Sequence, residues 1–252
     1  NDPRFDVQAI TVSGTGFAKC DAGVAAALGI LALTGHSDVP VACGAETPLL
    51  GENGPPADWL TTLETVLAYG LPEGGSATDV DAVELFTTTV QNSSEPVTVL
   101  ALGPLTNIGA ALEATPALVD NIAMIYLMGG AVDVDGSFVS DANTSAEWNI
   151  FSDPHGAWLT FVSGVPITLV PLDATNEVPV TPAFVERLQD EKSSPVAEFV
   201  ATLLSNNMES IEGGSYFFWD PLAAVIMANP GIVTLTPRTV TIVDIPGDPN
   251  DG

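Results

Sequence analysis

Apolar residues along this chain fall into short runs, separated by stretches with helical spacing. Val7 to Ser13 is apolar and β-branched and ends at Gly14-Thr15-Gly16, which predicts a buried strand. Ala22 to Thr34 is rich in Ala and Leu at helical spacing, and Gly35 stops it. Val39 to Cys43 predicts a short strand closed by Gly44, followed by a Pro/Gly-rich loop. Trp59 to Tyr69 and the acidic-faced Val80 to Gln91 predict helices. Val97 to Leu102 is a continuous apolar run, as in a parallel strand covered on both faces, and Gly103-Pro104-Leu105-Thr106-Asn107 turns it into a helix running to about Glu113. Ile122 to Met128 predicts the next buried strand, ending in Gly129-Gly130. Ser152-Asp153-Pro154 marks a helix start, with a capping side chain ahead of a proline suited to the first turn. Val165 to Val170 predicts a strand, Thr181 to Gln189 and Pro195 to Ile211 predict helices, and Pro221 to Ala228 predicts a short helix after Trp219-Asp220. Thr239 to Val243 predicts a late strand.

Strands alternating with helices imply an α/β fold: an open, mostly parallel sheet with helices on both faces. The chain shows no internal repeat, low-complexity tract or linker, so residues 1–252 read as a single domain.

Composition narrows the function. Hydrophobic residues make up 46% of the 252, ample for a sizeable core. The chain carries 32 acidic residues against 5 basic ones, a formal net charge of -27. Such a surface repels phosphate backbones and anionic lipid, which argues against nucleic-acid and membrane partners. Scattered acidic residues suit solubility in salt, and they also attract cations. No apolar run is long enough for a transmembrane helix. Cys20 and Cys43 are either a disulfide pair or two buried thiols; the sequence leaves both open. Asn1 to Asp6 leads at once into an apolar strand, with neither an initiator Met nor a signal pattern, so the chain reads as entered partway through; Gly247 to Gly252 is either a natural tail or a second cut. The compartment stays open between cytoplasmic and secreted or periplasmic.

The most informative stretch is Ala146-Glu147-Trp148-Asn149-Ile150-Phe151-Ser152-Asp153-Pro154. In an extended segment Glu147 and Asn149 share one side, a carboxylate and a carboxamide suited to gripping hydroxyl groups such as those of a sugar. Ligands of parallel sheets bind beyond the carboxyl ends of the strands, where the Gly-rich turns after residues 13, 102 and 128 fall. None of these turns is a dinucleotide fingerprint or a P-loop, and no GxSxG elbow occurs. Thr106 and Asn107 read as capping and packing residues, and Asp79, Asp81 and Glu84 as a solvated helix face. His36 and His155 read as solvated. Asp220 reads either as a helix N-cap or as a ligand for a hard cation, and Trp219 either as core or as a stacking surface for a planar ligand.

Taken in order, Gly-Thr-Gly at 14–16, Val-Pro-Val-Ala-Cys-Gly at 39–44, Leu-Gly-Pro-Leu-Thr-Asn-Ile at 102–108, Met-Gly-Gly-Ala at 128–131, Ala-Glu-Trp-Asn-Ile-Phe with Asp-Pro at 146–154, and Trp-Asp-Pro-Leu-Ala at 219–223 resemble the inosine-uridine preferring nucleoside hydrolase family. The resemblance covers nearly the whole chain. It implies a Rossmann-like fold and a calcium-dependent hydrolase of nucleoside salvage, cleaving the N-glycosidic bond of ribonucleosides to ribose and free base, with a homo-oligomer expected. Asp220 corresponds to a late metal-binding Asp, and Leu102 to a position whose backbone carbonyl binds calcium, usually a Thr. Glu147 and Asn149 correspond to ribose-hydroxyl ligands, and Thr15 falls where many members carry an Asn. A further substrate-binding Asn corresponds to Asn143 or to Ser137. Trp219 stands where many members have a His near the leaving base, and offers a stacking surface instead. The family's DxDxxxDD motif, with the Asp proposed as general base, has no counterpart here and is expected upstream of Asn1, so no catalytic residue is assigned within the chain. The alternative function is a non-catalytic nucleoside- or ribose-binding domain, or an inactive fragment of such an enzyme.

Overall fold

In the computed structural model, which describes residues 4–60, 70–191 and 193–252, parallel strands alternate with helices as the patterning predicts. The strands are β1 (Ile10–Val12), β2 (Val41–Cys43), β3 (Val97–Ala101), β4 (Ile122–Met128) and β5 (Ile167–Val170). The helices that bear on the site are α1 (Cys20–Thr34), α2 (Ala82–Asn92), α3 (Thr106–Ala114), α4 (Trp148–Phe151), α5 (Pro154–Val162), α6 (Leu172–Thr175), α7 (Pro182–Glu191), α8 (Pro195–Ser205), α9 (Met208–Glu212) and α10 (Trp219–Ala228). The helix expected over Trp59 to Tyr69 lies, beyond Leu60, outside the described residues.

All strand pairs are parallel. β1 pairs with β2 in register Ile10↔Val41, and β3, β4 and β5 pair in that order. Among the described residues the sheet is therefore in two pieces. Side chains tie the pieces together at their carboxyl ends: Ser13 Oγ donates to the Pro104 carbonyl (2.7 Å), and Asn107 Nδ2 donates to the Val12 carbonyl (3.0 Å).

The central strand, β4, is covered on both faces, which explains its unbroken apolar run. Ile125 and Leu127 point into one core with Leu105, Ile108, Phe86 and Ala157, contributed by α2, α3 and α5. Tyr126 and Met128 point the other way, toward Leu172, Ala223 and Ile226 from α6 and α10. This is the period-two alternation of a strand with apolar partners on both sides. Ile125 and Leu127 are fully buried, each contributing about 1.5–3 kcal/mol of apolar burial. The helices pack closely where side chains vanish: a Cβ on Gly109 of α3 would lie 2.5 Å from the Gly156 carbonyl of α5.

Several local expectations change. β1 is shorter than the Val7–Ser13 run, and Val7 is exposed. The single helix expected from Pro195 to Ile211 is two, α8 and α9, interrupted at Asn206-Asn207. Residues 239–243 form no strand among the described residues. Asp81 is not merely a solvated face residue; it caps α2 by accepting from Glu84 N at 2.9 Å. Cys20 and Cys43 form a disulfide, Cα–Cα 5.5 Å, joining the start of α1 to the end of β2. His155 is not solvated: its Nδ1 lies 2.7 Å from Asp244 Oδ2, and its ring stacks on Trp158. His36 is exposed, as expected.

Candidate active site

The carboxyl end of β4 runs into Gly129-Gly130, at φ 158° and 78°, conformations that favour glycine. That backbone lets a side chain approach closely. Glu147 does so: its Oε2 accepts from Gly130 N (2.9 Å), Asn149 N (3.0 Å) and Ile150 N (3.3 Å). A Cβ on Gly129 would sit 3.1 Å from the same oxygen.

These bonds overturn the expected local geometry. Glu147 and Asn149 do not lie in an extended segment. Glu147 is the N-cap of α4, and Asn149 sits in the helix. Three backbone donors outweigh the alternation pattern, and two of them, Asn149 N and Ile150 N, are groups that a one-turn helix would otherwise orphan. Asn149 is nevertheless brought to the same place, its Nδ2 donating to the Met128 carbonyl at 3.0 Å. Among the described residues Glu147 Oε1 and Asn149 Oδ1 take no hydrogen bond, and Glu147 lines a cavity of about 240 Å³ with Gly130, Ser145 and Ile150.

Asp220 comes to the same corner from α10. It is not the N-cap, a position held by Phe218, but lies in the first turn. Its carboxylate takes no hydrogen bond and no basic partner among the described residues. Burial, joined by a smaller push from the charge of Asp220, raises Glu147 to about 7 against the pull of its three backbone donors. Burial alone lifts Asp220 to about 6. Tyr216 is also raised, by burial and then by the charge of Asp220, which places this tyrosine at the same corner. In the sequence Tyr216 carries no signal beyond its place in the aromatic run Tyr216-Phe217-Phe218-Trp219 before Asp220.

The remaining candidates divide. Trp219 packs against the buried cluster of Met128, Val170, Leu172, Ala223 and Ile226, and its ring lies 5.5 Å from Tyr216 and 5.7 Å from Phe217. Leu102 follows β3 and is exposed. Asn143 is buried and occupied: Nδ2 donates to the Asp251 carbonyl, and Oδ1 accepts from Ala146 N at 3.0 Å, which shapes the turn leading into Glu147. Ser137 pairs through its backbone with Ala146. Thr15 is buried at the end of β1, its hydroxyl 2.8 Å from that of Thr106. The rings of Phe17, Trp59 and Trp148 contact one another at 5.4–6.0 Å and join the Thr15 turn to the Glu147 turn.

A buried and a half-buried carboxylate, Glu147 and Asp220, with no counter-charge among the described residues suit a hard cation in kind. With the Leu102 carbonyl they give fewer oxygens than the roughly 6–8 that calcium takes, and no cluster of three or more metal-ligating side chains occurs among the described residues.

The model of the inosine-uridine preferring nucleoside hydrolase family matches residues 1–252. The pyrimidine-specific ribonucleoside hydrolase RihA of Citrobacter koseri is 33% identical over 256 residues, covering 95% of this chain and 76% of that protein. A purine-preferring ribonucleoside hydrolase from Gardnerella vaginalis superposes with a TM-score of 0.84 at 26% identity, covering 99% of this chain and 79% of that one. The plant nucleoside hydrolase PpNRh1 superposes at 0.81 with 27% identity, covering 98% and 78%. The chain belongs to the inosine-uridine preferring nucleoside hydrolase family.

Proposed function

We propose that the protein hydrolyses the N-glycosidic bond of ribonucleosides, with a calcium ion at the corner formed by Glu147 and Asp220. The bond from the anomeric carbon to the base nitrogen breaks, the water oxygen bonds to that carbon and keeps one proton as the new hydroxyl, and the water's other proton ends on the departing base. The carrying observation is the juxtaposition of a buried carboxylate, Glu147, and a half-buried one, Asp220, with no cationic partner among the described residues. Bringing them together is unfavourable unless something positive, or a set of hydroxyl donors, is shared between them. A ribose offers the donors and calcium the charge.

In this reading Asp220 and the Leu102 carbonyl are cation ligands. When bound, calcium supplies charge that lowers the pKa of coordinated water and anchors sugar hydroxyls. Glu147 Oε1 accepts from a ribose hydroxyl while Oε2 stays fixed by the backbone. Asn149 Oδ1 accepts from another, its amide held by Met128. Thr15, in the turn after β1, is a further substrate contact, and Trp219 offers its face to the base. Fixing the sugar at several points orients the anomeric carbon for in-line attack and removes rotational freedom before the chemistry. The developing oxocarbenium charge is stabilised by the surrounding carboxylates. No residue of this set is assigned the proton-abstracting role. The similarity to hydrolases whose names specify pyrimidine and purine ribonucleosides supports the shared action on a ribonucleoside.

The test is release of free base and reducing sugar from uridine and inosine, by protein expressed from its complete coding sequence, after chelation and then with added calcium. Calcium-restored release of both products is expected. Nucleoside binding without release would favour a binding module, and neither binding nor release would overturn the reading.

A further inference from the structure

Beyond the ends of β4 and β5 their backbones stay joined. Gly129 N donates to the Val170 carbonyl at 3.3 Å, and Leu172 N donates to the Gly130 carbonyl at 2.9 Å. The next residue, Asp173 in the one-turn helix α6, takes two further backbone donors from the same turn. Its Oδ2 accepts from Val132 N (2.9 Å) and its Oδ1 from Asp133 N (2.7 Å). Gly130, Ala131 and Val132 line the cavity beside Glu147. Gly130 N is also the donor that reaches Glu147 Oε2 from outside α4, at 2.9 Å. The turn that Asp173 grips is thus the turn that holds Glu147.

The chemistry at position 173 calls for a carboxylate. Two adjacent N–H groups converge on one side chain, and a carboxylate offers an acceptor oxygen to each. Asn would set an amide N–H against one of them, and Ala would accept from neither. Without these two bonds the turn is tied to β5 and α6 only through Gly129 and Gly130 among the described residues. Gly130, at φ 78°, has no side chain of its own to hold it there. The side chain of Asp133 faces Arg238 at the exposed rim, Oδ2 to Nη2 3.3 Å, which offsets the like charge it brings near Asp173.

We infer that Asp173 is a positioning residue for the sugar contact of Glu147: it fixes the Gly130–Asp133 turn so that Gly130 N occupies Glu147 Oε2 and Oε1 is left for a ribose hydroxyl. The inference rests on the reading of the site as a nucleoside site. It adds a residue that touches neither sugar nor cation and acts through the backbone of the neighbouring loop. With Gly130 N in place, Glu147 is held from two directions. Without it, only Asn149 N and Ile150 N of α4 remain, the carboxylate gains rotational freedom, and the sugar is less well aligned for attack.

The test is a double-mutant cycle in kcat/KM for uridine and inosine, with calcium present, over wild type, Asp173→Ala, Glu147→Ala and the double variant, expressed from the complete coding sequence. Asp173→Ala is expected to lower kcat/KM about tenfold, by the same factor for both nucleosides because they share the ribose. In the Glu147→Ala background the same substitution is expected to change kcat/KM by less than about twofold, because the contact it serves is already gone. A merely structural Asp173 would lower the melting temperature and cost the same factor in both backgrounds; that additive result overturns the inference, as does full activity of folded Asp173→Ala. If Asp173→Ala does not fold, Asp173→Asn decides. It keeps the side-chain volume and one of the two bonds, and its loss of about threefold must likewise vanish in the Glu147→Ala background. Wild type that turns over neither nucleoside brings down the proposed function and this inference with it; active wild type with an additive cycle brings down this inference alone.

Discussion

Replacing Glu147 with Gln should change how stability depends on pH. In the folded protein Glu147 is raised from 4.5 to about 7, first by burial and then by Asp220. Below pH 4.5 the folded and unfolded chains both hold the proton. Between pH 4.5 and 7 the unfolded chain ionises and the folded one does not, so stability falls as pH rises. Above pH 7 the loss is complete. At about 1.4 kcal/mol per pH unit, the interval corresponds to a loss of about 3 kcal/mol. Glu147 is only 5% exposed, so solvent screening takes little from this figure. Gln carries no such charge, and in the variant the contribution vanishes; relief of Asp220 acts in the same direction. The repulsion arising from the rest of a net charge of -27 is common to both proteins and cancels in the difference. The assay is equilibrium urea unfolding of wild type and Glu147→Gln from pH 4.5 to 7.5, with divalent cations chelated. The stability of wild type minus that of the variant should fall by about 3 kcal/mol across that range. A difference constant over the range would show that Glu147 is not a buried, unneutralised carboxylate.

Other perturbations probe separate parts of the account. Calcium should raise the melting temperature more at pH 7.5 than at pH 5, because a cation held by Asp220 beside Glu147 favours the ionised forms of both, whose values are raised to about 6 and about 7; an equal shift at both pH values would contradict the assignment. Removing the Cys20–Cys43 link, as Cys20→Ser with Cys43→Ser, frees a loop closed over a separation of 23 residues and should cost about 3 kcal/mol in denaturant unfolding; no loss would mean that the link does not constrain the chain. Gly109→Ala drives a methyl group to 2.5 Å from the Gly156 carbonyl and should cost about 1–3 kcal/mol, whereas a neutral melting temperature would contradict the close approach of α3 and α5.

The fold was legible wherever burial on two faces wrote itself into composition. β4 falls on the Ile122–Met128 run because both its faces meet apolar cores. β1 is shorter than its apolar run, because pairing with Val41–Cys43, rather than hydrophobicity, sets its length. The helix breaks at Asn206-Asn207 although apolar spacing continues past it, since Met208 and Ile211 still face the core of Val185 and Leu204. The one-turn helix at Glu147 is too short to produce a periodic signal, and Glu is not a favoured cap. It forms because Gly130 brings a donor from the turn after β4, which no local pattern encodes. The meeting of Glu147 with Asp220 is likewise a product of topology: α10 packs on β3 and β4, and only that packing carries Asp220 to the end of β4. The motif order pointed to both residues through resemblance, not through local chemistry. The disulfide was undecided for the same reason, since whether Cys20 and Cys43 meet depends on α1 packing against β2.

The central claim is that Glu147 holds a ribose hydroxyl beside a cation in a nucleoside hydrolase. Its most direct test is kcat/KM for uridine and inosine, with calcium present, for wild type and Glu147→Ala expressed from the complete coding sequence. Loss of a charged hydrogen bond to the sugar predicts a fall of about 10- to 100-fold, in a variant shown to be folded by its circular dichroism. Turnover unchanged within about twofold in such a folded variant would contradict the account.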